Sequence, residues 1–150
     1  MEINEILNER TMKTNMNAGT KDEALHELAG LLLENDYITD IDRFMKDIYA
    51  REEIGQTGIG NYIAIPHGKS DFVKEIGVAI GINQSEIPWE TLDDHGVKGI
   101  ILFAVGNDND GADNHLKLLS MFARKLGNDD VVEKLLHSER TEDVKEAFAG

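Results

Sequence analysis

The 150-residue chain contains no cysteine, so it can form no disulfide or thiolate metal site and has no thiol nucleophile. Its two prolines, Pro66 and Pro88, both fall in the middle third. No internal repeat, low-complexity tract or Pro/Ser-rich linker divides the sequence, and one domain, residues 1–150, is expected. No apolar run approaches the roughly 20 residues of a membrane-spanning helix, so direct membrane insertion is not expected. The N-terminal MEINEILNER is acidic and amphipathic, without the basic region and apolar stretch of a secretory leader, and a cytoplasmic location is expected. Positive charge is also scarce: 15 Lys and Arg stand against 29 Asp and Glu, a formal net charge of −14. Such a surface repels nucleic acid and anionic lipid and suits basic protein partners, if it does more than confer solubility.

What is present is an alternation of helical and strand patterns. Residues 3–8 read as a short helix, and Met12, Thr14, Met16 and Ala18 alternate as in a strand. TKDEALHELAGLLLEN opens with a capping box, Thr20 and Glu23, and lines up Leu25, Leu28, Ala29 and Leu32 on one face. In TDIDRFMKDIYAREEIG, Thr39 is the expected cap and Ile41, Phe44, Met45, Ile48 and Tyr49 the apolar face. Gly55 follows that helix, which places Arg51 in its last turns. NYIAIP and IGVAIGIN read as short strands, and KGIILFAVG as a strand buried on both faces. After the polar stretch GNDNDGADN, a helix carries His115, Leu118, Leu119, Phe122 and Leu126 on one face, with Asp113 or Asn114 as its cap. DDVVEKLLHS and TEDVKEAFAG close the chain as short helices, the second capped by Thr141. The alternation predicts an α/β fold.

The stretch GQTGIGNYIAIPHGKS, residues 55–70, invites a nucleotide-binding reading and fails it. A phosphate-cradling G-x-x-x-x-G-K-[ST] loop ending at Gly68-Lys69-Ser70 needs glycine where Ile63 stands. The register from Gly55 to Gly60 continues with Asn61-Tyr62 in place of Lys-[ST], and a G-x-G-x-x-G motif begun at Gly58 again meets Ile63. What remains is a glycine turn, a short apolar strand and a Pro-His-Gly corner. Pro66 fixes its own φ and extends Ile65, so His67 sits on a stiff support.

His67 and His115 are the candidate functional histidines. At a helix N-terminus His115 is either a partly buried core residue or a neutral imidazole beside an anion, because the dipole disfavours imidazolium and favours phosphate there. His26, His95 and His137 read as surface or turn residues. A zinc site lacks the H-E-x-x-H spacing and a third ligand, and a serine hydrolase lacks G-x-S-x-G.

With these residues in view, REEIGQTGIGNYIAIPHGKS together with NHLKLLSMFARKL closely resembles the EIIA component, fructose/mannitol type (type 2), of the bacterial phosphoenolpyruvate-dependent sugar phosphotransferase system (PTS). The resemblance spans essentially the whole chain. It implies one α/β domain with a mixed sheet of about five strands flanked by helices. It implies further that His67 takes a phosphoryl group from phospho-HPr on its tele nitrogen, Nε2, and passes it to a cysteine of EIIB. His115 matches the family's accessory histidine and Arg51 its phosphate-neighbouring arginine. No cofactor, nucleotide or metal is implied. The acidic surface would steer encounter with a basic HPr. With no EIIB or EIIC segment recognised, a stand-alone subunit is expected. The resemblance leaves two functions open: a relay in sugar uptake, or a nitrogen-type regulatory EIIA whose phosphorylation state controls protein partners. Tyr62 departs from the family, in which a small or aliphatic residue often stands; at the rim of the site it would tune partner choice, and turned inward it would be packing.

Overall fold

The computed structural model describes residues 2–107 and 109–149, with residues 109–114 described by their backbone alone. The elements run α1 (Ile3–Ile6), a 3-10 turn (Glu9–Thr11), β1 (Met12–Met16), α2 (Lys21–Glu34), α3 (Ile41–Ile54), β2 (Gly58–Gly60), β3 (Ile63–Ala64), β4 (His67–Lys69), β5 (Gly77–Ile87), β6 (Val97–Val105), α4 (Asn109–Leu126), α5 (Asp129–Leu136) and α6 (Thr141–Ala149). One mixed sheet of six strands, against the expected five or so, has the order β1-β5-β6-β3-β2, and β4 continues alongside β6 beyond β3. β5 and β6 pair antiparallel; β1 runs parallel to β5, and β3 and β4 run parallel to β6.

Two cores follow from strand alternation. Ile100, Leu102 and Ala104 of β6 pack with Leu25, Leu28 and Leu32 of α2 and Phe44 and Ile48 of α3. Ile101 and Phe103 point the other way, into a core with Leu118, Phe122 and Leu126 of α4, Leu135 of α5 and Phe148 of α6. β6 is thus covered on both sides, as its continuous apolar run predicts. Phe103, Phe122 and Phe148 form an edge-to-face ladder with centroids 5.3 and 5.1 Å apart. Such contacts add about 0.5–1.5 kcal/mol each beyond area burial.

Three local expectations are corrected. Asp40, not Thr39, caps α3: its side chain accepts from the Arg43 N–H at 3.1 Å, while the Thr39 hydroxyl donates to the Phe72 carbonyl. Gly55 follows α3 as expected, in an extended backbone with φ 175°. Thr141 is the first residue of α6 rather than its cap; its hydroxyl donates to Glu9, and Asp143 Oδ2 accepts from the N–H groups of Glu139 and Arg140. Finally, α4 begins at Asn109, six residues before His115, which therefore does not sit in its first turn. Residues 113 and 114, the expected caps, fall inside this helix, with side chains outside the described residues. Asn, Asp and Gly are weak helix formers, but propensity is readily overridden by context.

Candidate functional site

His67 opens β4, in register with Phe103 of β6. Because side chains alternate along a strand, His67 and Lys69 share the face toward α4 while Gly68 faces α3. At Gly68 a Cβ would lie 2.2 Å from Phe44 Cε1, so only glycine lets α3 pack this closely behind the histidine. The His67 ring meets the Phe103 edge at 5.4 Å between centroids, which joins it to the aromatic ladder. On its other side lies His115, 4.9 Å away and nearly perpendicular at 79°. The structure thus brings together two histidines that are 48 positions apart in the sequence.

Arg51 comes from the last turn of α3, where positive charge complements the helix dipole. Its Nη1 donates to the Gly55 carbonyl at 2.9 Å, and its charge acts on both imidazoles. Burial, with His67 only 4% exposed, is the main reason its pKa falls from 6.5 to about 4. His115, whenever it is itself protonated, and Arg51 push the same way, opposed by the Ile65 and Pro66 carbonyls. His67 Nδ1 is buried without a well-formed hydrogen bond. His115 is also held below its ordinary range, by burial first, then by Lys69 and Arg51, and its Nε2 is likewise buried without a partner among the described residues. At neutral pH both rings are therefore uncharged.

This depression has a consequence for stability. The unfolded chain, with the ordinary histidine value of 6.5, takes up a proton that folded His67 refuses until about pH 4. The contribution is fully present above pH 7 and is lost as pH falls from about 6.5 to 4, by about 3 kcal/mol in total. Urea unfolding at pH 7 and pH 4 is expected to show a smaller loss in a His67→Gln variant than in the unsubstituted chain. NMR of the His67 ring should place its midpoint near 4; equal acid losses in both chains would contradict the assignment.

Lys69 and Phe103 join the neighbourhood without having been read from the sequence. Lys69 was findable, since two residues beyond His67 on a strand means the same face; Phe103 lay hidden in an apolar run. Ser70, which closed the apparent nucleotide motif, instead accepts from the Phe72 N–H at 3.1 Å and so stabilises a turn. Tyr62 lies away from His67, at the tip of the β2–β3 hairpin. Asn61 and Tyr62 have φ of 55° and 66°, the left-handed pair expected of a type I′ hairpin turn. Tyr62 stacks on His95 at 5.2 Å, with Lys98 Nζ 5.8 Å from its ring. His26 and His137 are exposed and contact the carbonyls of Asp22 and Glu133 within their own helices. Among the described residues no helix is long and apolar enough to cross a membrane.

Comparisons with known proteins agree on the relationship. A fructose-specific PTS EIIA component of Haloferax volcanii is 33% identical over 130 residues, covering 87% of this chain and 83% of the relative. The crystal structure of the nitrogen regulatory protein IIA-Ntr from Neisseria meningitidis superposes with a TM-score of 0.87 at 27% identity, over 97% of this chain and 98% of that one. At 23% identity, the complex of enzyme IIA for mannitol with phosphorylated enzyme IIB from Escherichia coli shares the fold, with a TM-score of 0.80 over 96% and 97% of the two chains. Some relatives are much longer: the chain spans 17% of the 2-O-alpha-mannosyl-D-glycerate-specific EIIABC component of Escherichia coli, to which it is 28% identical over 75% of its own length. The family described as "Phosphoenolpyruvate-dependent sugar phosphotransferase system, EIIA 2" matches residues 5–150. Because that match runs through all six strands and both candidate histidines, the chain belongs to the EIIA 2 family of the phosphoenolpyruvate-dependent sugar phosphotransferase system.

Proposed function

We propose that this chain is a phosphoryl carrier that accepts a phosphoryl group on His67 from phospho-HPr and delivers it to a cysteine of EIIB during sugar uptake. The observation that carries this reading is a buried, uncharged His67 edge-on to a second uncharged imidazole, with Arg51 acting on both. An attacking imidazole needs one bare nitrogen and its proton on the other. In this reading Nδ1 carries the proton and the Nε2 lone pair is the nucleophile. As the N–P bond of phospho-HPr breaks, the Nε2–P bond of His67 forms, and the donor imidazole leaves with its own ring proton. In the second step an EIIB thiolate takes the phosphoryl group and His67 Nε2 regains its lone pair. Transfer of this kind passes through a loose, in-line transition state, so positioning and charge stabilisation are the protein's tasks. Arg51 and Lys69 supply positive charge and His115 a neutral donor, which together hold the group without trapping it.

The similarity to IIA-Ntr supports a second reading, in which phosphorylated His67 is a signal read by protein partners. Incubation with enzyme I, HPr and labelled phosphoenolpyruvate, followed by fructose-type and mannitol-type EIIB, separates the two. The carrier reading expects label to move rapidly to EIIB. Label that stays on the chain with every EIIB overturns it in favour of regulation.

A further inference from the structure

Immediately after Arg51, the Glu52 side chain turns inward and is only 6% exposed. Its Oε1 accepts from the Thr57 hydroxyl, and its Oε2 pairs with Lys21 Nζ at 2.9 Å. Lys21 is itself fixed: its side chain is 14% exposed, it pairs with Glu90 at 3.2 Å, and it lies 5.0 Å from the centre of the Trp89 ring. Thr57 is 2% exposed, and its carbonyl accepts from the Ile65 N–H at 2.9 Å, two residues before His67. One carboxylate therefore ties the start of α2 to the last turn of α3, which carries Arg51, and to the hairpin that leads into His67. Neither Gly55 nor exposed Gln56 offers comparable packing between these elements.

We propose that Glu52, held by Thr57 and Lys21, is a positioning residue for phosphoryl transfer: it sets where Arg51 stands relative to His67. This rests on the carrier reading for its effect on rate, but not for its effect on geometry. A buried carboxylate with both oxygens engaged holds one arrangement, whereas among the described residues Arg51 is otherwise tethered through one bond, to the Gly55 carbonyl. Small displacements of a charge-stabilising group cost transfer rate steeply.

The test measures phosphoryl uptake from phospho-HPr in the full chain carrying Glu52→Gln, Thr57→Val or Thr57→Ser. Glu52→Gln and Thr57→Val are expected to lower kcat/KM about tenfold, and Thr57→Ser, which keeps the hydroxyl, to restore it. In an Arg51→Ala background, Glu52→Gln should add no further loss, because the two act through one element. Unchanged rates in both variants, or fully additive losses, overturn the proposal. NMR titration of the His67 ring supplies a readout independent of transfer. Deleting a negative charge would by itself lower the midpoint, whereas an Arg51 released from its position raises it. A rise in Glu52→Gln and in the charge-neutral Thr57→Val supports positioning; a fall in the first with no change in the second refutes it. If Glu52→Gln does not fold, the Thr57 pair decides alone. If the unsubstituted chain takes no phosphate, the carrier reading fails and the titration still decides the geometry.

Discussion

Replacing His67 with alanine is expected to abolish phosphoryl uptake, with no label on the chain after incubation with enzyme I, HPr and labelled phosphoenolpyruvate. The loss should be complete rather than graded, because the covalent bond has nowhere else to form. His115 keeps its buried Nε2, but it is placed beside the acceptor position, and His26, His95 and His137 are exposed and far from it in their contacts. A folding defect is separable from a chemical one. Alanine removes a ring that packs edge-on against Phe103 and His115, so the variant loses those contacts. It also gains at acid pH, since the proton that folded His67 refuses is no longer at issue. Circular dichroism at pH 7 should therefore show a folded chain that takes no phosphate. Label persisting in this variant would remove His67 from the centre of the mechanism.

Much of this site could be read from the sequence, and the portions that could not share a physical cause. Local signals worked where one element sufficed. Thr20 does accept from the Glu23 N–H, and β6 is buried on both faces as its apolar run requires. The break at Ile63 disqualified the glycine-rich stretch as nucleotide machinery; in the structure Ile63 is fully buried where β3 joins the sheet. Arg51 and His115 were different: spacing placed them on helices, and only the family resemblance put them beside His67. Packing of α4 against the sheet brings His115 to His67, and the charge of Arg51 on α3 acts on both rings; no local pattern encodes either. The early start of α4 and the Glu52–Thr57 contact escaped for related reasons, because tertiary context overrides weak propensity and pairs side chains from separate elements.

Replacing Arg51 with alanine is expected to slow transfer in both directions about a hundredfold, equivalent to about 2.7 kcal/mol of transition-state stabilisation. Among the described residues the guanidinium has one donor engaged, with the Gly55 carbonyl, which leaves others for phosphoryl oxygens, and its fork geometry suits such oxygens better than a point charge does. A lysine at this position should therefore recover only part of the rate. Stability should change little, since the bond lost is an exposed one at a helix end. The ring of His67 provides the second check. Arg51 is one of the charges that hold its pKa down, after burial and His115, so alanine should raise the NMR midpoint while leaving it below 6.5, because burial remains. The acid-labile contribution of His67 to stability then narrows to a smaller pH window, with its lower edge moved upward. Slower transfer with an unmoved midpoint would mean that Arg51 serves the partner rather than the site; normal rates with a raised midpoint would mean that its charge reaches the imidazole but not the transferring phosphoryl group.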